Sequence, residues 1–177
     1  MLLLAGWTWL SFIPTYAQKT SASETYVHFY SSAPVEDIEA VNHEAKSVID
    51  LSDGRIAFSV PINKFQFDKP LMQEHFNENY LESDKYPTAT FEAAIQNWQG
   101  VKPYPNAIAD GKFTIHGVTT EREMLGEIIL NGNQLVIDAV FWVQLADHKI
   151  KIPKAVFYNI AEKVKVTVKV KYELTNP

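Results

Sequence analysis

The strictest pattern in the chain is the alternation of apolar and polar residues over residues 163–172. Val164, Val166, Val168, Val170 and Tyr172 occupy every second position, and a Lys or Thr precedes each of them. Because successive side chains of a strand point to opposite faces, this segment predicts a β-strand with one face in the core and one in solvent. The lysine stripe, Lys163, Lys165, Lys169 and Lys171, is then either a solvated face that limits aggregation or a contact for anionic lipid head groups.

The same two-residue period recurs from Gly54 onward. It predicts five more strands, over residues 54–62, 90–98, 112–117, 122–130 and 134–145. Asn131-Gly132-Asn133 separates the last two of these and is typical of a tight hairpin turn, because Gly and Asn tolerate positive φ. Those two strands are therefore expected to be antiparallel neighbours.

Helical patterns are few. Residues 71–83 carry an apolar stripe at helical spacing, and residues 34–45 predict a second short helix, with Pro34 in its first turn and Ile38, Val41 and Ala45 on one side. Seven or eight strands with one or two short helices predict an all-β fold, either a closed antiparallel barrel or a sandwich.

The first 17 residues are typical of an export signal. They contain no charged side chain, run apolar from Leu2 to Ile13, and end in the small-residue exit Thr15-Tyr16-Ala17. No Lys or Arg precedes the apolar run, which is a departure from the usual signal peptide, and a buried N-terminal helix is the alternative. We expect a signal peptide at 1–17, a single domain at 18–177, and a periplasmic or secreted protein.

The composition excludes several classes of protein. The chain has no Cys and a formal charge of −5, which excludes disulfide scaffolds and thiol nucleophiles and argues against nucleic-acid binding. The five histidines, His28, His43, His75, His116 and His148, lack the paired spacing of a metal site, and no Ser elbow or phosphate loop is present. We therefore predict no metal, no cofactor and no catalytic residue, and a protein that is not an enzyme.

Aromatic residues concentrate at positions predicted to face inward. These positions are Phe58, Phe65, Phe67, Phe76, Phe91, Phe113 and Phe141. A barrel of about eight strands is just wide enough to be filled by side chains or to hold one slender ligand. The residues alone leave both alternatives open.

Four motifs, in order along the chain, carry a family resemblance. They are Phe65-Gln-Phe67, the helix segment from Met72 to Leu81 that contains His75-Phe76, the strand entry Tyr86-Pro87-Thr-Ala-Thr-Phe91, and Gly111-Lys-Phe-Thr-Ile-His-Gly-Val-Thr119. This arrangement resembles the YceI-like family of bacterial proteins over about residues 54–175. Before Gly54 the chain departs from the family pattern, with a compact segment at 28–53 where the family usually opens with a longer pair of strands.

The resemblance implies a lipocalin-like antiparallel barrel, commonly exported to the periplasm, whose elongated interior holds a polyisoprenoid or similar long-chain lipid. It implies no metal and no catalytic residue. The expected partners are a long-chain lipid or isoprenoid ligand of the quinone kind and a transient membrane contact. The alternatives are a binding or stress-response module with a filled core, and an enzyme acting on a lipid-like substrate. We assign lipid binding to the inward apolar positions Phe58, Val60, Ile62, Phe65, Phe67, Phe76, Phe91, Phe113, Ile115, Leu135, Ile137, Ala139, Phe141 and Val143.

Overall fold

Nine strands make up most of the computed structural model, which describes residues 19–32, 37–151 and 161–174. The signal peptide predicted for residues 1–17 lies outside these residues. The strands are β1 (Lys19–Ser31), β2 (Ile38–Asn42), β3 (Lys46–Asp50), β4 (Arg55–Pro61), β5 (Thr88–Ile95), β6 (Tyr104–Ile115), β7 (Val118–Asn131), β8 (Gln134–Gln144) and β9 (Lys163–Glu173).

Eight of these strands close into an antiparallel barrel. The order around the barrel is β1, β3, β4, β5, β6, β7, β8 and β9, and β9 pairs back onto β1. The short strand β2 pairs with the second half of β1, whereas β3 pairs with its first three residues. This confirms the predicted all-β, lipocalin-like barrel of about eight strands.

The strands predicted at β4, β8 and β9 agree with the observed bounds to within two residues, but β6 is much longer than predicted. It begins at Tyr104 rather than near residue 112 because Gly111 lies inside the strand instead of before it. A Cβ at Gly111 would lie 2.0 Å from the carbonyl oxygen of Glu92 on β5, so only glycine permits this approach. Between β7 and β8, Gly132 adopts φ +60° in the expected hairpin turn.

The helix predicted over residues 34–45 is wrong where the structure describes it. Residues 38–42 form strand β2, in which Ile38, Ala40 and Asn42 are buried at a two-residue period. One edge of β2 pairs with β1, and on the other edge Val41 exchanges two backbone hydrogen bonds with Gln66, of 3.1 and 2.8 Å. Both partners lie outside residues 34–45, and Gln66 is distant in sequence, so the helical spacing within this segment could not reveal them.

The helix predicted over residues 71–83 is present but short. It consists of α1 (Pro70–His75), followed by a wider π-helical turn (Phe76–Tyr80). Short 3₁₀ turns follow β4 (Ile62–Lys64) and β8 (Leu145–His148). In the described ranges, no helix reaches the length and apolarity needed to cross a membrane.

One end of the barrel is tightly packed, and we call it the packed end. Ile49, Leu135 and Tyr172 have no exposed surface there. The Tyr172 hydroxyl lies 2.5 Å from Oγ of Ser47, and burial raises the pKa of Tyr172 well above its ordinary value. The helical residues 70–80, which we call the α1 segment, lie at the opposite end. The described residues leave the space between the two ends for a ligand.

Candidate functional site: an apolar cavity inside the barrel

An apolar cavity of about 220 Å³ runs between the packed end and α1. Inward side chains of β1, β2, β4 to β9 and the α1 segment line it. In the described residues, its polar side chains are Ser31, Thr90 and Tyr80, and the other lining residues are apolar. Because the described lining residues carry no charged side chain, the cavity suits an uncharged, hydrocarbon-like ligand.

Thirteen of the fourteen residues predicted to bind lipid lie on the cavity wall. They are Phe58, Val60, Ile62, Phe65, Phe67, Phe76, Phe91, Phe113, Ile115, Ile137, Ala139, Phe141 and Val143. Leu135 is the exception, since it packs among the residues of the packed end. It shares a face of β8 with Ile137, but it lies one step beyond the floor of the cavity. Lipid binding by these residues stays a prediction.

The cavity also has lining residues that were not assigned from the sequence. Val164, Val166 and Val168 belong to the clear alternation of β9, so their inward position was predictable and only their cavity contact was missed. Val27 and Phe29 of β1 were harder to find. The outward positions of this strand carry Tyr and His rather than charged residues, which weakens its alternation.

Four phenylalanines form a cluster at the α1 end of the cavity. Phe29 and Phe76 each contact the rings of the other three phenylalanines, including Phe65 and Phe67, with ring centroids 5.0 to 5.7 Å apart. Edge-to-face and stacked rings at these distances contribute roughly 0.5–1.5 kcal/mol per pair beyond their buried area. This Phe cluster forms the end of the cavity opposite Leu135.

Two histidines lie close together beside the cavity wall. His116, in the turn between β6 and β7, places Nε2 2.8 Å from Oε2 of Glu82 and Nδ1 3.1 Å from the carbonyl oxygen of His148. His148 is buried with its ring edge-on to Phe113, and this burial lowers its pKa below the ordinary value. Both imidazoles are held by backbone or carboxylate partners, as expected for structural residues that fix the 3₁₀ turn after β8 against the β6–β7 turn.

The described part of the chain holds no group of three or more His, Asp or Glu side chains placed to share a metal ion. His28 lies on the barrel exterior, where its Nε2 is 2.9 Å from Oε2 of Glu39. The cavity is therefore the site that the geometry supports.

A protein-family model matches most of the chain. The YceI-like domain model matches residues 16–172. The match includes β1 to β3. This corrects the expectation that the resemblance to the family begins only near Gly54. No curated protein matches the chain.

Several solved structures share the fold. A polyisoprenoid binding domain from Saccharophagus degradans, implicated in plant cell wall breakdown, aligns with a TM-score of 0.74 and 13% identity over 89% of this chain and 99% of that one. Burkholderia cenocepacia BcnA aligns with a TM-score of 0.70 and 17% identity over 83% of this chain and 95% of that one. A Campylobacter jejuni YceI protein aligns with a TM-score of 0.57 and 10% identity over 99% of this chain and 94% of that one. At these identities the likeness establishes the fold alone.

Proposed function

Because the chain belongs to the YceI-like family, we propose that it is an exported carrier that holds a long-chain isoprenoid or a similar amphiphile inside its barrel. The observation that carries this proposal is the cavity, which has about 220 Å³ of space and whose described lining residues are apolar apart from Ser31, Thr90 and Tyr80. The Saccharophagus domain of the same fold is described as polyisoprenoid binding. A quinone-like ligand is one member of the class that we propose.

The energetics of such a site fit a carrier. Moving a methylene group from water into the barrel gains about 0.8 kcal/mol, so a long chain has a very large gross transfer term. A bilayer is as apolar as the cavity, however, and it is the relevant competitor. The ligand therefore exchanges between the two near balance, and the protein can both load and unload without a catalytic group.

The chemistry of the cavity supports binding rather than catalysis. Its polar groups are hydroxyls, and Oγ of Ser31 already accepts a hydrogen bond of 3.1 Å from the backbone N–H of Ala161. Among the described residues, those that line the cavity include no His, Asp, Glu or Lys that could act as a general base.

Export is the second part of the proposal, and it rests on the sequence of residues 1–17. We expect a native host to release a mature chain that begins at or near Gln18. N-terminal sequencing and intact mass of the protein from that host test this directly. Retention of Met1 in a soluble cytoplasmic protein would contradict export and leave the binding proposal standing.

Mass spectrometry of a solvent extract from natively purified protein tests the ligand. We expect a long-chain lipid at a fixed ratio to the protein, released by solvent and absent from a matched preparation of an unrelated exported protein. Protein that is folded, carries no lipid and binds none from vesicles would favour the alternative, a module with a filled core and a surface partner.

A further inference from the structure

The barrel wall between β7 and β8 is bonded over only part of its length. Backbone pairing joins the two strands at the β7–β8 hairpin and ends at the pair Gly126–Ala139. Beyond that pair, residues 118–125 of β7 pair with β6 alone, and residues 140–144 of β8 pair with β9 alone. We call this unpaired stretch of wall the seam. By contrast, β8 and β9 are paired along their whole length.

The seam faces the cavity. Met124 on the β7 side and Phe141 and Val143 on the β8 side line the cavity, as do Gly126 and Ala139, the last paired residues before the seam. The five residues of β8 along the seam extend about 15 Å at the usual rise of a strand. Where two strands are paired along their whole length, as β8 and β9 are, a hydrogen-bonded ladder would have to break before a ligand could pass, and along the seam there is no backbone ladder to break.

Large apolar side chains flank the seam on the outside of the barrel. Leu125 on β7 is 63% exposed, and Val140 and Trp142 on β8 are 47% and 53% exposed. Val48 and Leu71 are the other large apolar side chains of the described residues with comparable exposure, and they lie on other elements. A single exposed apolar residue needs no explanation, but three along one gap indicate contact with an apolar partner.

Arg122 is the side chain that crosses the seam. It donates a hydrogen bond of 2.7 Å from Nη2 to the carbonyl oxygen of Trp142. Its guanidinium carbon also lies 5.8 Å from the ring centroids of both Phe113 and Phe141, which line the cavity. A side chain thus provides the cross-strand bond that backbone pairing provides elsewhere, and it can release that bond without disturbing either strand.

We propose that the seam is the portal through which a single lipid chain passes between a bilayer and the cavity, and that Arg122 holds this portal closed. The inference rests on the proposed function, since it assumes that the cavity takes a lipid. Lateral entry suits a flexible chain, because the chain enters along its length with Leu125, Val140 and Trp142 covering it. Water then contacts little of its apolar surface at any moment.

Cross-linking across the seam tests the portal. The chain has no Cys, so Leu125→Cys with Val140→Cys places a unique thiol on each side, which a short bismaleimide joins. The matched control joins Val140→Cys to Thr167→Cys, which are register partners across the fully paired β8–β9 wall. The probe is cis-parinaryl alcohol, a slender uncharged fluorescent polyene, exchanged between the protein and phosphatidylcholine vesicles.

We expect the seam cross-link to slow both loading and release of the probe by about tenfold or more and to leave its equilibrium Kd unchanged. A portal changes the barrier and not the end states, so both rates change by one factor. The control cross-link is expected to leave both rates within about twofold of the uncross-linked protein. Equal slowing by the two cross-links, or slowing by neither, would overturn the portal while binding persists.

Arg122→Met provides a second test that needs no cross-linker, because it keeps much of the apolar stem and removes the donor. Loss of a hydrogen bond from a charged donor corresponds to about tenfold, so we expect loading and release to accelerate by about that factor at unchanged Kd. Unchanged rates in folded Arg122→Met protein would overturn its role. If wild-type protein binds no cis-parinaryl alcohol and yields no extractable lipid, the proposed function itself fails, and that outcome is distinct from a failed portal.

Discussion

Filling the cavity from within separates a hollow barrel from a filled one, and Ala139→Trp is the change best placed to do so. Ala139 lines the cavity at the middle of β8. Its register partners are Gly126 on β7, which has no side chain, and Val168 on β9. An indole at this position therefore has room on the β7 side and points into the space assigned to the lipid.

The expected magnitude follows from the burial of the indole. A Trp side chain buries about 200 Å², which at about 25 cal/mol per Å² corresponds to about 5 kcal/mol of gross stabilisation when empty space receives it. Local overpacking costs about 1–3 kcal/mol. The free energy of unfolding of the lipid-free variant should therefore be no lower than that of the lipid-free wild type. In a filled core only the overpacking cost remains, and at about 2–4 °C per kcal/mol the melting temperature would fall by about 2–12 °C.

The assay compares both proteins after solvent extraction and refolding, because bound lipid by itself raises the melting temperature of the wild type. Lipid content is measured on the same preparations before extraction. Val136→Trp is the matched control, since Val136 lies on the outer face of the same strand, paired with Ile129 and Lys171. We expect Ala139→Trp to lose the lipid and keep its stability, and Val136→Trp to keep both. A clearly lower melting temperature for lipid-free Ala139→Trp, together with no lipid in the wild type, would refute the hollow barrel.

Three further predictions follow from particular contacts. Leu135→Ala should lower the free energy of unfolding in urea by about 2–5 kcal/mol and leave the ratio of lipid to protein unchanged, because Leu135 lies in the packed end; loss of lipid at retained stability would contradict this placement. The melting temperature should fall as the pH drops below about 6.5, because burial lowers the pKa of His148 in the folded protein and the unfolded chain then takes up the proton first. His148→Gln should reduce this dependence of the melting temperature on pH, and an unchanged pH profile in that variant would exclude His148 as its source. A chelator should leave the melting temperature unchanged, whereas stoichiometric zinc lost on His116→Ala would reveal a metal site.

Local patterns in the sequence were sufficient to predict much of the barrel. The alternation of β4, β8 and β9 indicates both the strands and their inward faces, because a strand repeats every two residues whatever its neighbours are. The Gly132 turn placed β7 beside β8 for an equally local reason. Thirteen of the predicted site residues therefore lie on one cavity wall, although they come from strands far apart in the chain.

Contacts with other segments of the chain determined the features that local patterns did not predict, namely strand β2 and the floor of the cavity. Residues 38–42 form a strand because β1 and Gln66 bond to both of its edges, and helix propensity contains no information about either partner. Leu135 and Ile137 have the same pattern, yet only Ile137 reaches the cavity, since the position of its floor depends on residues such as Tyr172 from the far end of the chain.

The existence of the cavity and the seam also required the tertiary structure. Whether a barrel is hollow depends on its diameter and on the summed volume of side chains from all its strands, and no single segment encodes that difference. The seam depends on where β7 and β8 stop pairing. Along β8 the inward apolar positions continue beyond Ala139 at Phe141 and Val143, but the outward positions there are the apolar, exposed Val140 and Trp142. The sequence therefore determined which side chains of this strand can face inward, and only the packing of the closed barrel decided where its wall is unbonded.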